Sequence, residues 1–272
     1  MTVREVFYRL LAVRVIPKSE AEYKQTVCRL LAEMRRAGTV EYGMIADSTR
    51  WMRKPQTFDS VEDALRSTAR LYRRNLWRDL PDYVEVWCEK DALAGVLVGV
   101  TDEYDVPLMV TRGYPSLTYL HDAAEQMAEQ ILRDKYVTVY YFGDYDPSGV
   151  DIRRNVEEQL GEFIQLRLDA RLAPLSQNEW DRFDFAPVAV LPEQIEEYGL
   201  HTRPTKTTDT RARGFAAESV ELDAIPPSDL RQLVRSVIEQ HLPEGALDAL
   251  HVAEASERTI LARIAETVGG AA

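Results

Sequence analysis

Between residues 83 and 160, short β-rich runs alternate three times with longer segments of helical periodicity, and this narrows the fold of the 272-residue chain more than any other feature. The runs lie near 83–88, 106–111 and 136–142, and the helix-like segments near 91–103, 116–133 and 149–160. Strands separated by whole helices do not close as hairpins; they pair in parallel through right-handed crossovers. The expectation is an α/β fold whose parallel sheet is flanked by helices. In such a sheet the ligand crevice lies at the carboxyl ends of the strands.

Those ends are acidic. Val84-Glu85-Val86-Trp87-Cys88 runs into Glu89-Lys90, and the run 137–142 stops at Gly143 before Asp144-Tyr145-Asp146-Pro147-Ser148-Gly149. Glu89, Asp144 and Asp146 would form a hard oxygen site suited to Mg²⁺, with Mn²⁺ as the alternative. Alternation points Asp144 and Asp146 the same way when extended geometry continues through Tyr145. A site of this kind fits metal-dependent phosphoryl transfer. Plainer roles stand beside it. Glu89 and Lys90 also fit an exposed pair at a helix start. Asp144 and Asp146 fit turn positions before Pro147, with Ser148 capping the next helix. Asp151 is either a more distant carboxylate of the site or an acid favouring a helix start.

The net charge of −12 argues against nucleic acid until it is divided. Residues 1–80 carry 16 Lys+Arg against 10 Asp+Glu, a net of +6, and residues 81–272 carry the other 17 against 35, a net of −18. Where basic charge sits matters more to a polyanion than the total. Solvated charged faces on both halves are the bland alternative. With 45% hydrophobic and 29% charged residues, the chain has room for two small domains, without an 18-residue apolar run or a secretory leader. Cys28 and Cys88 lie in apolar contexts that fit buried thiols in a reducing cytoplasm, and the four histidines show no ligand spacing.

Thr2 with Glu5 reads as a capping box opening a first helix, which Pro17 breaks, and Ser19 with Glu22 as a second one opening a helix to Arg36. A short strand is expected over 40–47, a basic loop or wing over 47–58 with Arg50, Arg53 and Lys54, and a third helix from Ser60 to Trp77 bearing Arg66, Arg70, Arg73 and Arg74. Helix, helix and strand-wing is compatible with a winged-helix DNA-binding module over 1–80. The metal-binding core is expected over 81–160, and an α+β extension over 161–272 completes it. In that extension 163–168, 186–191 and 219–223 are strand candidates, and 228–240 and 244–267 helices, the last suited to docking or dimer packing. The Thr-rich basic segment 201–213, with Lys206, is a candidate substrate-touching loop.

A lone Glu after one strand and Asp-x-Asp after a later one resemble the Toprim domain of topoisomerases, primases and some nucleases. The forms Glu89-Lys90-Asp91-Ala92-Leu93 and Gly143-Asp144-Tyr145-Asp146-Pro147-Ser148-Gly149 look most like the topoisomerase VI A subunit and its meiotic double-strand-break relative. Arg112-Gly113-Tyr114-Pro115 resembles that family's glycine turn. Val3-Arg4-Glu5-Val6-Phe7-Tyr8 resembles the segment holding its DNA-cleaving tyrosine. The likeness covers roughly residues 2–160, although the relatives have a longer stretch ahead of the tyrosine helix.

It implies a Mg²⁺-dependent enzyme acting on double-stranded DNA. Tyr8 would be the nucleophile and Arg4 its assistant, while Glu89 would bind metal or move a proton. The resemblance also implies a homodimer, because tyrosine and metal come from different protomers in the family. With no P-loop in the sequence, strand passage would need a separate ATPase subunit. Arg50, Arg53, Lys54, Arg70, Arg73 and Lys206 are the expected DNA contacts, and the expected location is cytoplasmic, at the nucleoid. Two other functions stay open: a Toprim nuclease that attacks with metal-activated water, and a non-enzymatic DNA-binding accessory.

Overall fold

The computed structural model describes residues 3–45, 55–171, 181–204, 215 and 218–270. By its internal contacts the chain divides into two units, Met1–Phe58 and Asp59–Ala272.

The larger unit is mixed α/β, around a sheet of β1 (Asp82–Cys88), β2 (Leu108–Val110), β3 (Tyr136–Phe142) and β4 (Phe183–Ala189) in the order β2-β1-β3-β4. Every pairing is parallel. The crossovers run through α4 (Asp91–Glu103), α5 (Leu117–Ile131) and α6 (Pro147–Arg171), and the short α7 (Pro192–Glu197) follows β4. Both sheet faces are covered, as parallel sheets require. Val84, Val86, Cys88, Tyr140 and Phe142 pack with α4 and with α8 (Pro227–Glu239), while Trp87, Val137, Val139 and Tyr141 pack with α5 and α6.

The strand expected at 163–168 is instead part of α6. Its apolar residues belong to a stripe of four-residue period, in which Ile152, Val156, Leu160, Ile164 and Leu168 are buried while Leu166 is 65% exposed. That period fits one helix face and no strand. The 219–223 candidate joins no sheet: Ser219 and Val220 make isolated antiparallel bridges to Arg203 and Tyr145, and Leu222–Ala224 form a 3₁₀ turn.

Ser60 caps α3 (Val61–Leu71) by accepting from the Asp63 N–H at 3.0 Å. This helix stops six residues short of Trp77 because side chains take over its backbone partners. The Arg74 N–H donates to Glu254 (2.9 Å) and the Leu76 N–H to Asp105 (3.2 Å). α3 packs on α9 (Ala246–Gly269), where the buried Glu254 also meets Arg258 at 3.0 Å. The helix expected to serve docking therefore has an internal partner, although Val252, Ile260 and Ile264 stay exposed.

In the smaller unit α1 (Val3–Ala12) buries Phe7, whose ring meets Tyr23 edge-on at 5.3 Å. Ser19 accepts from the Glu22 N–H at 3.1 Å, and π-helical turns Glu22–Cys28 lead into α2 (Arg29–Arg36). No strand occurs among the described residues here. Where one was expected, Tyr42–Met44 form a 3₁₀ turn. Arg35 stacks on the Tyr42 ring at 4.6 Å and donates to its carbonyl at 3.2 Å, which folds the chain back on α2. Residues 47–54 of the expected wing, with Arg50, Arg53 and Lys54, lie outside the described residues, so the winged-helix arrangement has no support from this unit.

Candidate metal centre

A strand order of 2-1-3-4 reverses the direction of the crossovers between β1 and β3, and ligands of open α/β sheets sit at such a switch point. Glu89 directly follows β1 and Asp144 closely follows β3, so topology alone brings these two acids to the crevice. The ladder carries one residue beyond β1, because the Glu89 N–H donates to the Phe142 carbonyl at 2.8 Å. On the other side the Arg112 N–H donates to the Glu89 carbonyl at 3.1 Å. The Glu89 side chain turns toward β3, where its Oε2 accepts from the Asp144 N–H at 3.1 Å.

Two glycines make this approach possible. A Cβ on Gly143 would stand 2.9 Å from Glu89 Oε2 and 2.5 Å from Tyr141 Cε1, and one on Gly149 would stand 2.3 Å from the Asp144 carbonyl oxygen. Asp146 is the residue before α6, and its Oδ1 accepts from the Gly149 N–H at 2.7 Å, with Pro147 in the first helical position. The capping role expected of Ser148 thus belongs to Asp146. Extended geometry does persist at Tyr145, whose N–H donates to Val220 at 2.8 Å. The two aspartates nevertheless serve different partners.

Asp144 is well enclosed, with a side chain 13% exposed. Its Oδ1 accepts from the Leu222 N–H at 2.7 Å and from Lys90 Nζ at 3.0 Å. Lys90 reaches Glu221 at 3.5 Å and Asp223 at 3.4 Å as well, so it points inward instead of forming an exposed pair with Glu89. Arg203 forms an ion pair with Glu221. Burial, then the charges of Asp144 and Asp146, push the Glu89 carboxyl up to about 7. Burial also raises Asp144, against the pull of Lys90 and the Leu222 N–H. For Lys90 burial opposes the charge, but Asp144, Asp223 and Glu221 together outweigh it and the ammonium is held more tightly than usual.

Glu221 and Asp223 were not among the acids expected from sequence. Their signal was the alternation Val220-Glu221-Leu222-Asp223, in which Val220 and Leu222 are buried and the acids take the opposite side. The glycine turn lies at the same end of the sheet, with Arg112 at φ 54° and Gly113 at φ 90°; Arg112 pairs with Asp91 at 2.9 Å. Tyr114 donates to Asp151, which also pairs with Arg154 at 2.8 Å, so Asp151 serves the start of α6.

In the smaller unit Tyr8 is half-buried, with Lys18 5.8 Å from its ring centre, while the Arg4 guanidinium stacks on Tyr23 at 5.4 Å. Arg70 is exposed in the last turn of α3. Arg73 is engaged within its own unit, by the Asp102 carbonyl at 2.8 Å and Glu254 at 3.5 Å. Lys206 lies outside the described residues.

No protein-family model matches the chain, and neither curated proteins nor solved structures give a match.

By donor chemistry the crevice suits a divalent cation. Glu89, Asp144, Asp146, Glu221 and Asp223 supply five carboxyls against the two cations Lys90 and Arg203. Hard oxygen donors in excess over positive charge suit Mg²⁺. The oxygens of Glu89, Asp144 and Asp146 do not converge as tightly as a ligand set. Among the described residues the set whose ligand atoms all lie within 4.8 Å of one another is His121, Asp122 and Glu125 on α5. That set is largely exposed, and Glu125 also faces Arg167 at 3.4 Å.

Proposed function

We propose that this chain is a Mg²⁺-dependent DNA strand-cleaving protein with a Toprim-like acidic site, resembling the topoisomerase VI A subunit. The observation carrying this reading is the junction of Glu89 and Asp144 at the β1–β3 switch point, where a backbone N–H joins two acids that repel each other's charge. Bound between Glu89, Asp144 and Asp146, a divalent cation would neutralise charge on a phosphodiester. Left off the metal, Glu89, which burial and the neighbouring acids push up to about 7, would instead be suited to hand a proton to the leaving sugar oxygen. The Tyr8 oxygen would form the new bond to phosphorus as the bond from phosphorus to the sugar oxygen breaks, the phenol proton passing to solvent, which leaves a phosphotyrosyl link. Double-stranded DNA, a homodimer and a separate ATPase subunit are the partners this reading brings.

Hydrolysis by metal-activated water is the second reading. It draws on the amino-terminal unit, where Arg4 lies over Tyr23 and thus does not serve Tyr8 as the covalent route expects. One experiment separates the two. End-labelled duplex DNA, incubated with the protein and Mg²⁺, then denatured and digested with protease, should leave label on a peptide containing Tyr8; Tyr8→Phe should bind DNA and not cut. Cutting by Tyr8→Phe without a labelled peptide assigns hydrolysis, and no Mg²⁺-dependent cutting by either protein removes both readings.

A further inference from the structure

We propose that Lys90 is a built-in counter-ion of the acidic crevice, which a divalent cation must displace from Asp144, and that Glu221 and Asp223 hold the lysine once it moves. This inference rests on the metal reading above and says how the chain's own residues govern occupancy of that site.

An ammonium has three N–H donors. Lys90 offers them to three carboxylates, and they are unequal: Asp144 stands at 3.0 Å, Asp223 at 3.4 Å and Glu221 at 3.5 Å. The shortest bond goes to the residue of the sequence motif. Asp144 Oδ1 already accepts from the Leu222 N–H at 2.7 Å, so with Lys90 that oxygen has both lone pairs engaged. A divalent ion arriving at Asp144 meets a unit positive charge about one hydrogen bond away, inside a site where screening is weak. It competes with the lysine for the same carboxylate.

The segment bearing Glu221 and Asp223 is anchored to the strand-end motif by the mutual backbone bonds of Tyr145 and Val220, at 2.8 and 2.9 Å, and by the bond from Leu222 to Asp144. The two further acids are thus held beside the lysine whichever carboxylate it favours. Arg203 shares Glu221, so Asp223 is the stronger of the two acceptors for a displaced Lys90. Asp223 is also well enclosed, with a side chain only 13% exposed.

The test is the Mn²⁺ affinity, read by calorimetry at one pH, of wild type, Lys90→Met, the pair Glu221→Gln/Asp223→Asn, and the combination of all three. Lys90→Met should bind Mn²⁺ roughly tenfold more tightly, since it deletes the competing charge. The acid pair alone should bind several-fold more weakly, because the lysine is left with Asp144 as its one carboxylate. In the Lys90→Met background the acid pair should cost less affinity than it does in wild type, since only the pair's own charge is then lost. An acid pair that costs as much or more in the Lys90→Met background as in wild type makes Glu221 and Asp223 ligands of the cation and overturns the proposal. Binding by wild type with no gain in Lys90→Met overturns it alone, whereas no binding by either protein overturns the metal reading together with it. Should Lys90→Met not fold, wild-type crystals soaked in Mn²⁺ decide. An ion on Asp144 with Lys90 Nζ moved onto Asp223 or Glu221 supports the proposal. Nζ still on Asp144 beside the ion, or no ion in the site, overturns it.

Discussion

Glu85 and Glu89 lie four residues apart on one side of β1 and its one-residue continuation, and burial raises the proton affinity of both. Their surroundings put them to different uses. Glu85 is closed by neutral donors of its own strand: Tyr83 Oη donates to one oxygen at 2.8 Å and Trp87 Nε1 to the other at 2.7 Å. Residues two apart on a strand share a face, so local sequence alone builds that cage. Glu89 has one backbone donor from across the switch point and the charges of Asp144 and Asp146 nearby. The first carboxyl is satisfied. The second sits beside the like charges of Asp144 and Asp146, which a proton or a cation relieves. Burial of an acid therefore does not mark a site, and the sign of what surrounds it does.

The largest expected effect breaks the comparison at its structural end. Glu85→Ala strands a buried indole N–H and a half-buried tyrosine hydroxyl, so urea unfolding should show a loss of about 2–4 kcal/mol with no change in Mn²⁺ or Mg²⁺ affinity. A loss below about 1 kcal/mol would mean that the two donors find other partners, and Glu85 would no longer be the strand's own cage.

Next in size is Gly143→Ala. Its methyl group would meet both Tyr141 and the Glu89 carboxylate, so about 1–3 kcal/mol of stability should go, together with metal affinity, as Glu89 is pushed off the Asp144 N–H. Stability lost with affinity intact would show that the tyrosine gives way instead. In that case the close packing of Gly143 serves the core and not the crevice.

The two glutamates also show what sequence made legible. The crossover helices and the ends of β1 and β3 could be read because each element carries its own period, and Glu89 and Asp144 stand where those periods stop. Their relation to residue 220 and beyond could not. Leu222 and Asp144 are 78 residues apart, Lys90 and Asp223 are 133 apart, and no local pattern links them. Lys90 looked like half of an exposed pair because its three acceptors come from elsewhere in the chain. The run at 163–168 misled for a different reason. Six apolar-rich residues fit either a strand or a helix, and only the stripe from Ile152 to Leu168 distinguishes them.

The smallest effect concerns Glu89 itself, and its sign is the sharpest part of the comparison. Because the folded protein holds this carboxyl at about 7, above the unfolded value, protonation favours the folded state. The stability this contributes is complete below the unfolded pKa of about 4.3 and is lost as pH rises through about 7. Metal-free wild type should therefore grow less stable across that window, and Glu89→Gln should flatten the decline. Asp144 shifts in the same direction, so some of the slope stays. At pH 8 the glutamine variant should be the more stable protein by ~1 kcal/mol, the shift being discounted for the partial exposure of Glu89. Millimolar Mg²⁺ should reverse the order, since wild type gains by binding and the variant does not. Thermal melts at pH 5 and pH 8, with and without Mg²⁺, read all four states. A variant less stable than wild type at pH 8 without metal would place Glu89 with Glu85, as a carboxyl the fold needs ionised and satisfied. A variant more stable without metal and unresponsive to it would show that the fold keeps Glu89 at a cost which the cation removes.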